Sequence, residues 1–501
     1  MASSAKGSSA VQSSKTEVHT PKIQVMRSRS SQFIQNIPDD IARLIAFYAL
    51  PSKPSPNRSQ SPVSLSQVSS AWRNVILSSS ELWSTLFITA EGLDALEICQ
   101  QQATVWLGRA EGRPLTIFFH FDADNDEDDL SELQNFLSSL SPFVPRARRI
   151  GLWYTYIHKL LALLPSVSWT LDNLEAFDLV CDFGDGPADD FIDESEDLPI
   201  VRVLEHAPNL RQLGIEGEFM GTALESELVL PWSRLTKVTI TYDLSVASWV
   251  TIMRSCPQME FGDFDIGEGY QDGLERFRSP NQVHTRLESL NLKIPNRVVE
   301  VMSIFHFTNL RNLYLKSDLQ DAEDGIPAAS NFQNFHGLHS LYIDTSSHLH
   351  LPSLKQILRE GSNIEELTLI YIRKGQESLF NAMSYSTSPP MLPHLSFLRI
   401  DLYPEARVKQ LESHWKVLHE MLMSRSVGTM PEGCNQLRKI SMSTSPIATS
   451  PYTGAFFGPY YPVVGHLAQM LFPCHEAGVE IVSNEDSEMD WKPVRIGVFE
   501  L

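Results

Sequence analysis

The sequence is poor in cysteine and has no long hydrophobic run. Its five cysteines are far apart and form no CxxC pair: Cys99, Cys181, Cys256, Cys434 and Cys474. This spacing argues against a structural zinc site or a disulfide scaffold and favours a reducing compartment, either the cytoplasm or the nucleus. Because the sequence has no run of 18 apolar residues and no apolar signal core, we expect neither a membrane span nor secretion.

Positive charge is also scarce. The chain of 501 residues has 40 lysines and arginines against 61 aspartates and glutamates, which gives a net charge of -21. A general nucleic-acid-binding surface needs clustered basic residues to neutralise phosphates. We therefore expect no nucleic-acid partner, and a basic or neutral protein partner suits this chain better.

Motifs for catalysis and metal binding are missing as well. The sequence contains no P-loop, dinucleotide-binding glycine motif, GxSxG or HExxH. Two histidine pairs lack a third ligand at useful spacing: His336 with His339, and His348 with His350. Residues 122–129 alternate carboxylates like a calcium loop, but Glu127 stands where glycine is needed and Leu133 where glutamate is needed. We expect no enzymatic activity, no cofactor and no metal.

A recurring hexad with apolar residues at its first, fourth and sixth positions dominates the rest of the chain. Nine copies begin at Leu174, Leu210, Leu235, Leu287, Leu310, Leu338, Ile364, Leu395 and Leu437. Weaker copies are ARRIGL from Ala147 and CPQMEF from Cys256. Leucine-rich repeats have periods of about 20–29 residues, and the hexads fit such an array with insertions.

Apolar segments with helical spacing lie between the hexads, at 157–167, 201–210, 247–259, 298–310 and 353–364. Each repeat therefore indicates a strand, a loop and a helix, and stacked repeats bury one continuous core. The predicted fold class is α/β, an irregular leucine-rich-repeat solenoid or horseshoe with a parallel sheet on its concave face. The asparagine typical after the hexad is missing, so the sequence does not predict an asparagine ladder.

The fifth residue of each hexad should face the concave groove, because its apolar neighbours point the other way. In the later repeats these residues are Asn291, Tyr314, Tyr342, Thr368, Arg399 and Ser441, with Lys316, Asp344 and Asp401 just beyond. Tyrosine and arginine are enriched at binding hot spots. We expect this row to bind a partner protein, and ordinary surface is the alternative.

The amino-terminal part indicates a small helical module. Pro38 suits a first helical position and Asp39 and Asp40 suit the positive end of a helix. Helical spacing along one face is shown by Ile41, Leu44, Ile45 and Tyr48 in a first helix, and by Leu65, Val68, Trp72, Val75 and Ile76 in a second. The sequence predicts that the first helix ends near Leu50, that Ser61-Pro62 begins the second, and that Trp83 fills the gap between them.

Residues 33–88 resemble the F-box of fungal F-box proteins, on the strength of Ile37-Pro38, Val68–Arg73 and Leu82-Trp83. Ile37 replaces the usual leucine, and Ser70 replaces a frequent cysteine. The resemblance implies that the module binds a Skp-family adaptor and thereby joins a cullin-RING ubiquitin ligase. The positions that match the family's binding residues are Ile37, Pro38, Ile41, Leu44, Ile45, Leu65 and Val68. A private core made by the same residues is the alternative.

We therefore predict four segments: a disordered tail at 1–32, an F-box at 33–89, a linker helix and strand at 90–146, and a leucine-rich-repeat-like domain at 147–501. After Ser445 prolines interrupt the period, before a helix and two closing strands. The predicted function is the substrate-recognition adaptor of an SCF-type ligase, which binds a Skp-family adaptor, a cullin and an unknown client. One alternative is a repeat scaffold with no ligase role, in which 33–88 caps the solenoid; a second is an enzyme on an α/β array, which predicts a deep pocket with convergent polar groups.

Overall fold

The computed structural model describes residues 37–92, 95–122, 130–154, 157–181, 201–217, 228–267, 283–284, 286–294, 302, 304–316, 335–344, 351–370, 376–386, 390–401, 408–443 and 471–483. Several predictions fall outside these ranges. They concern the tail at 1–32, nearly all of the acidic segment 122–129, the histidines His348 and His350, and the last predicted strand. The chain divides into two compact units, Met1–Leu82 and Trp83–Leu501.

The first unit contains helix α1, Asp39–Tyr48, close to its predicted position. Asp39 and Asp40 lie in its first turn, where carboxylates interact favourably with the helix dipole. Pro38 is the N-cap residue, one position before the predicted one, and its carbonyl accepts the Ala42 N–H at 2.9 Å. The side of α1 that is buried carries only Ala42 and Ala46.

Helix α2, Ser70–Ser78, begins later than predicted. The Ser69 hydroxyl accepts the Trp72 N–H at 3.2 Å and caps the helix, whereas Leu65–Gln67 forms a separate 3-10 turn. Ser61, the predicted cap, is buried and donates instead to the Ala46 carbonyl of α1 at 3.2 Å. The core of this unit is small and consists of Ala42, Ala46, Trp72, Val75, Ile76 and Leu82.

The second unit is built on a 14-stranded sheet whose strands are all parallel to their neighbours and follow one another in chain order. The described strands of this unit, of which all but β8 and β10 belong to the sheet, are β1 Thr85–Glu91, β2 Leu115–Asp122, β3 Ala147–Tyr154, β4 Ala176–Val180, β5 Gln212–Glu216, β6 Lys237–Leu244, β7 Phe261–Ile266, β8 Val283–His284, β9 Ser289–Lys293, β10 His306–Phe307, β11 Asn312–Lys316, β12 Ser340–Asp344, β13 Glu366–Ile370, β14 Phe397–Asp401, β15 Lys439–Ser443 and β16 Glu480–Ser483. Strands β8 and β10 pair separately from the main sheet.

All nine hexads supply a strand of this sheet, and each strand begins at the third residue of its hexad. The apolar positions of the hexads form the core. In the hexad that supplies β11, Leu310, Leu313 and Leu315 are each at most 2% exposed. The weaker copy from Ala147 is confirmed as β3. The chain therefore has an α/β, solenoid-like fold with a parallel sheet.

The copy predicted from Cys256 has the wrong register. Pairing of β7 with β9 places Gly262 opposite Leu290 and Phe264 opposite Leu292, so the hexad runs from Met259. Glycine occupies the fourth position because a Cβ at residue 262 would lie 2.6 Å from the Phe264 ring. A search for apolar residues cannot recognise that position.

The helices with complete bounds in the described part of this unit are α3 Leu96–Arg109, α4 Ser131–Ser139, α5 Ile157–Leu163, α6 Val246–Ser255, α7 Leu351–Glu360, α8 Gln376–Met383 and α9 Val408–Ser426, and residues 471–476 are helical as well. Helices α5, α6 and α7 confirm three predicted segments. The segment 201–210 is not helical. Its buried residues recur at every third position, and successive hydrogen-bonded turns place them. In the segment 298–310, residues 298–301 and 303 lie outside the described ranges, Met302 is helical, and His306–Phe307 forms β10. No helix among the described residues is long and apolar enough to cross a membrane.

Hydrogen bonds along the start of the strands connect consecutive repeats. The carbonyl of each second hexad residue accepts N–H groups from the next repeat, as Arg311 does from His339 at 2.8 Å and Ser340 at 3.0 Å. Asparagine side chains next to the hexads add a second ladder by donating to a carbonyl of the preceding repeat. These bonds join Asn173 to Pro145 (2.7 Å), Asn209 to Asp172 (2.7 Å), Asn363 to His336 (2.6 Å) and Asn435 to His394 (3.1 Å). The asparagine ladder precedes the strand and does not follow it.

The sheet begins before the predicted start of the array at residue 147. Strands β1 and β2 come from segments assigned to the F-box and the linker; β2 pairs directly with the repeat strand β3, and β1 pairs with β2 at the edge of the sheet. Trp83 packs edge to face on Trp106 of α3 with ring centroids 4.8 Å apart, and the Trp106 indole N–H donates to the Thr85 carbonyl at 3.0 Å. Residues 83–146 therefore belong to the same compact unit as the repeats.

Candidate binding surfaces

One face of the sheet carries the buried fourth and sixth residues of each hexad. The opposite face carries the third and fifth hexad residues and the residue directly after the hexad. In β11 and β12 the alternating pattern leaves Tyr314 and Tyr342 half-buried between fully buried leucine and isoleucine side chains. This face is the partly exposed one, and we call it the open face.

The six predicted binding residues lie in one row across the open face. Strand pairing joins Asn291 to Tyr314, Tyr314 to Tyr342, Tyr342 to Thr368, Thr368 to Arg399, and Arg399 to Ser441. Five of the six are half-buried, whereas Ser441 is only 2% exposed and its hydroxyl has no hydrogen-bond partner among the described residues. The row exists as predicted, but Ser441 does not present its side chain to solvent.

The two tyrosines in this row are stacked. Their ring centroids lie 4.1 Å apart and their planes differ by 14°. Burial, reinforced by the neighbouring Tyr314 hydroxyl, raises the pKa of Tyr342, while the charge of Arg399 acts in the opposite direction. The pair thus forms a stacked, half-buried aromatic surface.

The first three strands carry an aromatic patch on the open face, which we define as Phe87, Phe118, His120 and Trp153. The Trp153 ring centroid lies 5.3 Å from that of Phe87, 6.5 Å from Phe118 and 5.7 Å from His120. All four side chains are half-buried. The sequence analysis did not identify this patch.

Next to the patch lies a carboxylate cluster, defined as Asp178, Glu216 and Asp263. The Arg149 guanidinium connects the two groups: it lies 5.3 Å from the Phe118 ring centroid and its Nε is 2.7 Å from an Asp178 oxygen. Partial burial of the carboxylate and the charges of Asp178 and Asp263 raise the pKa of Glu216, although the residue as a whole is exposed. Burial also raises the pKa of Asp263, against a hydrogen bond of 3.3 Å from the Asn291 amide.

In the first unit, α1 turns its large apolar side chains outward. Ile41, Leu44, Ile45 and Tyr48, which we call the α1 apolar face, are between 40% and 80% exposed. Phe47 beside them is also exposed and contacts the Tyr48 ring edge to face at 6.0 Å. An ordinary helix of a soluble protein buries such residues and exposes polar ones.

The predicted adaptor-binding residues are thus mostly accessible. Pro38, Ile41, Leu44, Ile45 and Val68 are exposed, the last at 48%. Ile37 and Leu65 are half-buried.

Metal ligands are not assembled in the part of the chain that the structure describes: no group of three or more His, Cys, Asp or Glu side chains could hold an ion there. Of the predicted histidine pairs, His336 and His339 are described, and the His339 Nδ1 lies 2.8 Å from the Gly337 carbonyl oxygen.

Comparison with known proteins adds little to this geometry. No protein-family model matches the sequence. No curated protein matches it either. A crystal structure of a protein from Bacteroides fragilis is similar to 42% of this chain at 15% identity, with a TM-score of 0.27, and the match spans 64% of that protein. A similarity of this size supports no argument about function.

Proposed function

We propose that the protein is a substrate-recognition adaptor, in which α1 docks a Skp-family adaptor of an SCF-type cullin-RING ubiquitin ligase and the open face of the sheet binds a client protein. The proposal interprets residues 33–88 as an F-box and the sheet as the concave face of a leucine-rich-repeat horseshoe. Such a protein acts in the cytoplasm or the nucleus, and its partners supply the ubiquitin-transfer chemistry.

The observation that carries the proposal is the exposed α1 apolar face. Contiguous exposed apolar side chains mark interaction sites in soluble proteins, and this face combines aliphatic groups with the ring of Tyr48. Its spacing suits insertion into a groove between partner helices, where i, i+3, i+4 and i+7 side chains act as anchors. The α1 residues that face the unit's own core are alanines, so substitutions on the exposed face should leave that core intact.

The client half of the proposal rests on the Tyr314–Tyr342 pair. Aromatic side chains that are rigid before binding lose little conformational entropy when a partner covers them. A client held on the sheet and a ligase held on α1 are brought to a high effective concentration, which drives transfer without a catalytic residue in this chain.

The test is isothermal titration calorimetry with a purified fungal Skp-family adaptor. A triple variant with Ile41→Ser, Leu44→Ser and Ile45→Ser should lose binding at least a hundredfold, because three desolvated anchors are removed. The matched control is Ile98→Ser with Val105→Ser, two similarly exposed residues of α3, which should bind like wild type.

Circular dichroism should show the same helical content and melting temperature in all three proteins. Failure of the wild type to bind any Skp-family adaptor, or full binding by the triple variant, overturns the docking proposal and favours a repeat scaffold with no ligase role.

A further inference from the structure

We propose that the aromatic patch and the carboxylate cluster together form a second binding surface, which takes a basic peptide segment of a partner protein. An apolar or aromatic side chain of the peptide would cover the patch, and a lysine or arginine would lie on the cluster. This surface adjoins the row between Asn291 and Ser441 at the hydrogen bond from Asn291 to Asp263, and the inference does not depend on α1 docking a ligase.

Two glycines shape the surface. In the fifth-position row, Gly151 lies beneath the Phe118 ring and Gly214 lies beneath the Asp178 carboxylate; a Cβ at Gly214 would be 2.6 Å from an Asp178 oxygen. The missing side chains let Phe118 and Asp178 lean across their neighbouring strands. The result is a surface across β2 to β5 in which the Phe118 ring covers Gly151 and the Asp178 carboxylate covers Gly214.

Charge identifies the kind of partner. The three carboxylates of the cluster interact electrostatically with two cations, Arg149 and Lys237. Arg149 is paired with Asp178, and Lys237 lies 5.1 Å from the Phe261 ring centroid. Glu216 is exposed, so a partner's ammonium or guanidinium group can reach it. A cation placed there relieves the repulsion among the carboxylates, and the net charge of -21 attracts basic segments from solution.

The strand order sets the spacing of the ligand. Phe118 lies on β2, Glu216 on β5 and Asp263 on β7, so these two carboxylates are three and five strands from the Phe118 ring. With neighbouring strands about 4.8 Å apart, the separation is about 14–24 Å, which an extended peptide spans with about four to seven residues. The ligand class is therefore a segment with one large apolar residue about four to seven positions from lysine or arginine.

The experiment uses the full-length protein and a random twelve-residue peptide library displayed on phage. Peptides retained by the wild type are tested for retention by a Phe118→Ser, Glu216→Gln variant. The matched control is Phe397→Ser with Glu366→Gln, which changes a half-buried phenylalanine and an exposed carboxylate on the same face at β13 and β14. Circular dichroism melts establish that each variant is folded.

We expect the peptides lost by the first variant, but kept by the control, to be enriched in lysine or arginine at the stated spacing from an aromatic or aliphatic residue. Fluorescence anisotropy of one such peptide should show at least tenfold weaker binding to Phe118→Ser alone, and several-fold weaker binding in 0.5 M than in 0.1 M salt because screening weakens charge pairing. Selected peptides that lack basic residues, or equal retention by both folded variants, overturn the inference. These outcomes leave α1 docking untouched, since the calorimetric test reports on that separately.

Discussion

The ring of Tyr314 stacks on the ring of Tyr342 across strands β11 and β12, with centroids 4.1 Å apart. Cross-strand aromatic pairs contribute about 0.5–1.5 kcal/mol beyond the area they bury. A double-mutant cycle with Tyr314→Ala and Tyr342→Ala should therefore give a coupling of about 1 kcal/mol in the free energy of unfolding, measured by urea denaturation. Additive single effects would show that the stacking does not stabilise the sheet.

The carboxylate cluster predicts a pH-dependent gain in stability when a charge is removed. Because the pKa of Glu216 is raised, the folded state holds this proton more tightly than the unfolded chain, and the free energy of unfolding falls as the pH rises through its titration range. Glu216→Gln should raise stability at pH 7 and have no effect at pH 4. Solvent screens this exposed group, so the gain should be at most about 0.5 kcal/mol.

Thermal melts at the two pH values measure this difference. Glu366→Gln, an exposed carboxylate outside the cluster, is the control and should show no such gain at pH 7. A loss of stability in Glu216→Gln at pH 7 would contradict the proposed repulsion.

The asparagine ladder predicts that a nearly isosteric change will destabilise the repeats. In Asn209→Asp the donor to the Asp172 carbonyl becomes an acceptor, so an attractive contact of 2.7 Å becomes repulsive. The expected loss is about 1 kcal/mol in urea denaturation, because the bond is exposed to solvent. Asn312→Asp is the matched control: its amide donates to the Ser289 hydroxyl, which can turn to donate to a carboxylate. Equal losses in both variants would rule out the ladder as the cause.

Much of the second unit could be predicted from its hexads, because burial of the first, fourth and sixth positions is a local requirement repeated in every strand. The order of the row from Asn291 to Ser441 followed from the same rule. The predictions were wrong where that pattern is absent. Gly262 replaces an apolar residue to make room for Phe264, and the segment 201–210, predicted as a helix, forms turns. The asparagine ladder was missed because it precedes the strands, although Asn173, Asn209 and Asn363 each stand directly before a hexad.

The aromatic patch depends on the pairing register of β2 and β3, which no local sequence pattern reveals. Between β2 and β3, Leu115 pairs with Ala147 but Thr116 pairs with Arg149, so Arg148 is an extra residue that shifts the alternation. Similarly, the spacing of α1 identifies its apolar stripe but not whether the stripe is buried. Its exposure results from Ala42 and Ala46 facing the small core of the unit.

Arg425 supplies the last prediction, because it is a fully buried cation near the carboxyl end of the sheet. Its guanidinium donates to the carbonyl oxygens of Met383 (2.6 Å), Leu392 (3.0 Å) and Met391, and lies 4.1 Å from the Tyr385 ring centroid. Burial lowers the pKa of Arg425 to about 10, so the group remains charged at neutral pH. It fixes the segment after α8 by satisfying three buried carbonyls at once.

A lysine cannot replace the planar guanidinium group of Arg425, because the compact ammonium group of lysine cannot reach all three carbonyls. Arg425→Lys should lower the free energy of unfolding by about 3 kcal/mol, since at least one carbonyl stays buried and unpaired and the ring contact is lost. Arg359→Lys, at an exposed site of α7, should leave the urea midpoint unchanged. Tyr385→Phe keeps the ring but removes the hydroxyl's contacts with the carbonyls of Asn435 at 2.7 Å and Pro393 at 3.2 Å, and should lower the free energy of unfolding by about 1 kcal/mol. An unchanged midpoint in Arg425→Lys would mean that the carbonyls find other donors.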